Sequence, residues 1–263
     1  MTKSANRNAS KEAREADVFM KTSEKFIRWM QKNKQLLLLA IGVVVAAVVG
    51  FNGLVWWKQQ QELKAQNELF KIEKSYGKLH EKYETAKQDH EKALEEAVKA
   101  KKPAPAKSEA HPSGDLQKDY GDVVRQFEEV MKKHEGSNSA TMASLHLARI
   151  YVDYEQYPLA EKILLVSAPK GKGLLKNLAQ MMLGTVVEVQ GRCDSAIKHW
   201  QEIKDVKSVL YPEVMLRQAL CYETLSQADK AKELYKKIQA EHSESQVSRK
   251  AKSYLRLLEL KGG

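Results

Sequence analysis

The chain has 263 residues and a mass of 29.9 kDa, with 30% charged residues and a mean hydropathy of −0.54, an average that suits one or two water-soluble domains. Two cysteines exclude a disulfide framework and a four-cysteine zinc site, and six prolines with 13 glycines exclude a collagenous chain. The net charge of +10 is uneven: residues 1–34 hold nine basic and four acidic groups. No stripe of Lys and Arg interleaved with aromatic residues follows, so the basic balance gives no nucleic-acid footprint.

Between Lys34 and Lys58 lie 23 residues without a charge, Gln35 to Trp57. As a helix they extend roughly 34 Å, enough for a hydrocarbon core of about 30 Å, with every backbone group satisfied internally. Trp29 before the run and Trp56–Trp57 at its far end stand where an interfacial aromatic belt belongs. The run is too long and its far end too bulky for a cleaved signal peptide. Residues 35–57 are therefore expected to be a transmembrane helix that meets membrane lipid through Leu36–Trp57. Nine basic groups in the short tail set residues 1–34 inside and residues 58–263 outside. Within this basic cytoplasmic tail Phe19, Phe26 and Met30 share a helical face, with Lys21, Lys25, Arg28 and Lys32 on the others; such a pattern suits contact with anionic headgroups or a membrane partner, and an ordinary positive-inside flank is the preferred reading.

Apolar or small residues then recur at alternating steps of three and four: Leu69, Ile72, Tyr76, Leu79, Tyr83, Ala86, His90, Ala93 and Ala97. Such a heptad seam predicts a coiled-coil-like helical spacer over 58–100. The seam can meet a second copy by self-association through 69–97, a partner, or the chain's own following domain. KKPAPAKSEAHPSG at 101–114 supports no packed element. Residues 101–116 are expected to be a Pro/Ala-rich linker, a hinge between spacer and distal domain.

The remainder is helical by pattern, with an internal period. Small residues recur at Ala148, Gly184 and Ala219, each followed three positions later by Tyr151, Val187 or Tyr222. Ala160, Ala196 and Ala231 come twelve residues after the small residue, and Leu164, Trp200 and Tyr235 four beyond those. Close helix pairs need this arrangement, in which a small side chain on helix A faces an alanine on helix B and large residues fill the space toward the next pair. The motif resembles the tetratricopeptide repeat (TPR), stretched from its usual period of about 34 residues. Pro158 suits a helix start, and Gly191 with Asp194 a stop and an N-cap. The segment from Phe127 aligns with that from Tyr235 at an offset of 108. The expected fold is all-α: a single N-terminal transmembrane helix, a long heptad-patterned helix, and over 117–263 a TPR-like α-solenoid. The array begins with a helix B near 117–134, contains three pairs, and ends on a capping helix near 246–261.

The seven histidines share no metal-ligand spacing with a carboxylate, and HExxH, GxSxG and P-loop patterns are lacking. No catalytic residue, metal or cofactor is therefore assigned, and the chain is not expected to be an enzyme. If residues 58–263 are exported, an oxidised Cys193–Cys221 pair is possible, but the repeat register does not aim the two at each other, and both suit small apolar fillers better. A helical array does offer a surface lined by its A helices. Register places Met142, Leu145, Arg149 and Asp153 there from the first pair, Leu178, Met181, Thr185 and Glu188 from the second, and Glu213, Leu216, Leu220 and Glu223 from the third. An apolar centre with charged margins suits an extended or helical polypeptide. The competing expectation is that some of these residues pack against the spacer helix.

A short tail, a single anchor and an outer TPR array, with the stretches ATMASLHLARIYVDYEQYPLAEKIL (140–164) and LKNLAQMMLGTVVEVQGRCDSAIKHWQEIKD (175–205), resemble the YfgM-like ancillary subunits of the bacterial SecYEG translocon. The resemblance implies a protein-interaction scaffold of the bacterial inner membrane. Its N-terminus would be cytoplasmic and its C-terminal domain periplasmic, working at the translocon exit with a periplasmic chaperone and emerging client proteins. The longer tail and the heptad spacer with its Pro-rich hinge depart from that family. A second function fits the same elements: a structural envelope scaffold whose rod oligomerises to organise a division, motility or secretion assembly.

Overall fold

The computed structural model describes residue 25, residues 28–204 and residues 206–261; Phe19, Lys21 and Phe26 of the expected tail face lie outside the described residues. The chain divides into two units, 1–60 and 61–263. All the regular elements among the described residues are helices, and we number them in chain order.

In the first unit, the long helix α1 (Lys34–Lys99) begins with the apolar run. Its side chains from Leu38 to Trp57 are all exposed. Among the described residues this is the one helix long and apolar enough to cross a membrane, by length and composition. Asn52 satisfies its amide locally, Nδ2 donating to the Val48 carbonyl at 2.8 Å.

The second unit contains the rest of α1 and eight further α-helices among its described residues: α2 (Leu116–Lys133), α3 (Asn138–Asp153), α4 (Tyr157–Ser167), α5 (Gly173–Val189), α6 (Cys193–Gln201), α7 (Tyr211–Thr224), α8 (Ala228–Glu241) and α9 (Gln246–Lys261), with a short 3-10 turn at Ala168–Lys170. Helices α3/α4, α5/α6 and α7/α8 are the three pairs; α2 stands before them and α9 after them. Each pair turns through three residues whose middle one is left-handed: Glu155 (φ 57°), Gly191 (φ 76°) and Ser226 (φ 58°). The next amide returns to the helix five residues back, Gln156 to Tyr151 at 2.8 Å, Arg192 to Val187 at 3.2 Å and Gln227 to Tyr222 at 2.8 Å, a Schellman closure that satisfies the last carbonyls. One turn is therefore used three times, although only the second has glycine at the strained position. The expected N-cap at Asp194 is not formed. Arg192 occupies that position without a side-chain cap bond, and Asp194 sits in the first turn of α6.

The repeated small and large residues build the core. Ala148, Ala160, Leu164, Ala196, Trp200, Ala219, Ala231 and Tyr235 are fully buried, Tyr151 nearly so, and Tyr222 half-buried. Gly184 lies against the Trp200 indole so closely that a Cβ there would stand 2.2 Å from Nε1. Two apolar clusters result, one from Leu69 through Trp200 to Val214 and Cys221, the other around Met215, Ala219, Tyr235 and Ala251.

The heptad seam meets the chain's own domain. Leu69 and Ile72 are buried in the first cluster, with Tyr76, Leu79 and Tyr83 packed against it. Tyr76 contacts the rings of Tyr120 and Phe127 on α2, both at 5.9 Å. Polar contacts fix the register. Glu62 accepts from the first amides of α3, Asn138 at 3.1 Å and Ser139 at 3.0 Å, a favourable place for a carboxylate. Glu68 pairs with Lys133 and His134, and Glu73 with His146. Helix α1 thus supplies the missing helix A for α2, and of the three covers open to the seam, residues 69–83 take the chain's own domain rather than a second copy.

Residues 61–99 and the repeats fall in one unit. The linker is pinned to α2: Ser113 and Gly114 donate their amides to the Asp119 carboxylate at 2.9 and 3.0 Å, and Tyr154 adds its hydroxyl at 2.8 Å. Burial pushes the Asp119 carboxyl up, but these donors outweigh it and hold it below its ordinary value. The expectation for the cysteines also fails. Cys193 at the start of α6 and Cys221 on α7 form a disulfide with Cα atoms 5.2 Å apart. Period arithmetic places residues within a repeat, but it does not give the angle at which one pair lies on the next.

Candidate functional site

Helices α3 and α5 are the A helices of adjacent pairs, and their outward faces form an open cleft of about 490 Å³. Six of the expected groove residues meet there: Leu145, Arg149 and Asp153 from α3, and Leu178, Met181 and Thr185 from α5. Val152, Tyr157, Met182, Val186 and Val189 complete the lining. Register counting on a single helix face missed these five, since the cleft draws on the flanks of α3 and α5 and, through Tyr157, on the start of α4. At one margin Arg149 Nε donates to Asp153 at 3.0 Å. Thr185 spends its hydroxyl on the Met181 carbonyl at 3.0 Å. Apolar side chains dominate the floor, including two methionines able to repack around different partners.

The other expected groove residues are placed elsewhere. Met142 lines a second opening of about 550 Å³ with Leu175 and with Glu62, Phe70 and Glu73 of α1, so the spacer helix takes part of this surface. Glu188 is bound by Arg217 at 2.9 Å, and Glu213 approaches the same guanidinium at 3.4 Å. Leu216 is buried in the second cluster and Leu220 packs against it. Glu223 accepts a hydrogen bond from the Tyr235 hydroxyl, and burial followed by this carboxylate raises the Tyr235 pKa. The third pair therefore turns its expected groove residues inward or into ion pairs.

Among the described residues no three His, Cys, Asp or Glu side chains gather in a way that could hold a metal ion. The chain matches the tetratricopeptide repeat-like domain family over residues 27–208, more than half of its length. It belongs to that family. The match takes in α1 through α6 and stops in the connection before α7. Two solved structures with similar folds are the MamA protein, at 20% identity and a TM-score of 0.39 over 55% of this chain and 81% of that one, and the TPR-like repeats of a putative kinesin light chain from Podosopora anserina, at 17% identity and a TM-score of 0.40 over 71% and 96%. No curated protein sequence matches the chain. Tetratricopeptide repeat-like folds generally serve as non-catalytic scaffolds for protein–protein interaction.

Proposed function

We propose that the chain is a membrane-anchored scaffold that holds polypeptides in the α3/α5 cleft, as an ancillary subunit at the exit of the Sec translocon in the bacterial inner membrane. The cleft carries the reading. It is open and apolar, it lies on the A-helix face, and none of its lining residues belongs to α1. Anchoring is supported by the exposed apolar side chains from Leu38 to Trp57, which lipid would cover. An outer location for residues 58–263 is supported by the Cys193–Cys221 disulfide, since such bonds persist in oxidising compartments. The translocon and a periplasmic chaperone as partners follow from the family resemblance in 140–164 and 175–205. An oligomerising rod is the weaker reading, because it would have to draw Leu69 and Ile72 out of the first cluster.

The test is photocrosslinking in cells at native expression, with the crosslinker at Leu178 or Val189. Translocon or chaperone subunits, or emerging clients, are the expected products. Recovery of none of these at either position would overturn the reading.

A further inference from the structure

We propose that Cys193–Cys221 is a redox latch that holds α7–α9, as a separately cored module, onto the array ending at α6. The module is marked off by three independent features. Its core is distinct, with Met215, Ala219, Tyr235, Ile238 and Ala251 forming their own cluster. Its tether is the longest connection within the array, residues 202–210; Ile203 is buried in the first cluster, and beyond it Val206 and Val209 are exposed. The family match also ends at residue 208, inside that tether.

Among the described residues the junction is crossed by the disulfide and by a limited apolar contact, to which Tyr222 and Leu225 contribute by packing against the first cluster. Val214 and Cys221 reach from α7 into the first cluster, and Arg217 binds Glu188 of α5. The disulfide joins Cys193, the first residue of α6, to Cys221 within α7, bridging 28 residues of sequence. It therefore closes the same gap that the tether spans, and opening it leaves the tether, the Arg217–Glu188 pair and the apolar contacts of Val214, Tyr222 and Leu225 to hold the module.

The switching step is thiol–disulfide exchange with a dithiol. A reductant thiolate attacks the Cys193 sulfur, the more exposed partner at 6% against 1% for Cys221, forming a mixed disulfide while Cys221 leaves as a thiolate and takes up a proton. The second thiol of the reductant then displaces Cys193, so two electrons and two protons pass to the chain and the dithiol ends as a disulfide. The inference does not rest on the translocon reading.

The experiment uses the full chain in detergent micelles. Peptide mapping without reductant should recover a Cys193–Cys221 linked pair; its absence would overturn the proposal. Hydrogen exchange is then followed with and without dithiothreitol, and in the Cys193→Ala/Cys221→Ala variant. Reduction should speed exchange in α7–α9 by at least about tenfold, leave α2–α5 unchanged, and expose 202–210 to proteolysis, with the variant behaving like the reduced chain. Unchanged exchange throughout, or equal acceleration in every helix, would overturn a latch at this junction.

Discussion

Of the three repeats, only the second pairs its small residue with tryptophan, and only there is the small residue glycine: Ala148 goes with Leu164, Ala219 with Tyr235, and Gly184 with Trp200. Replacing Gly184 by alanine would put a methyl 2.2 Å from the indole Nε1, 2.5 Å from Cδ1 and 2.6 Å from Cε2. The ring has no room to retreat, being fully buried and tied by its Nε1 donation to the Met181 carbonyl at 3.1 Å. Overpacking costs about 1–3 kcal/mol, and displacing the indole from its acceptor adds about 1–3 kcal/mol. Alanine's better helix propensity returns about 1 kcal/mol. The net destabilisation is then roughly 1–5 kcal/mol, which lowers the melting temperature by something like 2–20 °C for a unit of this size. Thermal circular dichroism of Gly184→Ala measures it directly. The decisive arm is Gly184→Ala with Trp200→Leu, which recreates the alanine–leucine pair of the first repeat and should recover stability relative to the sum of the two single variants, with a coupling above about 1 kcal/mol. A Gly184→Ala chain as stable as the parent, or strict additivity in the double variant, would refute the close-approach argument.

Asp119→Ala leaves the Ser113 and Gly114 amides and the Tyr154 hydroxyl without their acceptor; it should cost about 2–4 kcal/mol in denaturant titrations and speed proteolytic cutting within KKPAPAK, with Asp119→Asn intermediate. Stability should fall on acidification in two windows. Burial lowers the His199 pKa below its ordinary 6.5, so the folded chain binds fewer protons there than the unfolded one and loses stability as pH drops below about 6.5. Glu68 and Glu161 are lowered too, Glu68 by Lys133 and His134, and Glu161 by Arg192 and Gln190 against an upward push from burial. Their contribution is lost below about pH 4, and His199→Gln should remove only the first window in melting curves recorded across pH. Val189 lines the cleft and is 54% exposed, so Val189→Glu should shift stability by no more than about 0.5 kcal/mol while abolishing crosslinks from Leu178; retained crosslinks would separate the cleft from the function. Ser226 holds a left-handed turn position (φ 58°) that glycine fills in the second repeat, so Ser226→Gly should leave stability unchanged or raise it by up to about 1 kcal/mol in chemical denaturation.

Sequence made the repeats legible because their packing rule is local. A small residue, an alanine twelve positions on and a large residue four further are set by the geometry of one helix pair, so Ala148–Ala160–Leu164 and its two copies declare the phase without knowledge of anything distant. The same locality explains what stayed hidden. The heptad seam from Leu69 to Tyr83 has one appearance whether its cover is a second copy, a partner or α2, because the spacing records only that one face of α1 is covered. What decides the matter is polar and long-range. Glu62 meets the first turn of α3 and Glu73 meets His146, separations of more than 70 residues, and neither contact leaves a periodic trace. Cys193 and Cys221 were obscure for a related reason: one lies in a turn register and the other on an A helix, so only the stacking of the second pair on the third brings them to 5.2 Å. The groove shows both limits at once. On α3 and α5, where neighbouring A helices leave an open cleft, helix register located Leu145, Leu178 and Met181. On α7 the same register selects Leu216, which is buried, and Glu213, which approaches Arg217. Periodicity says which face of a helix is special, and the neighbouring element decides whether that face becomes core or surface.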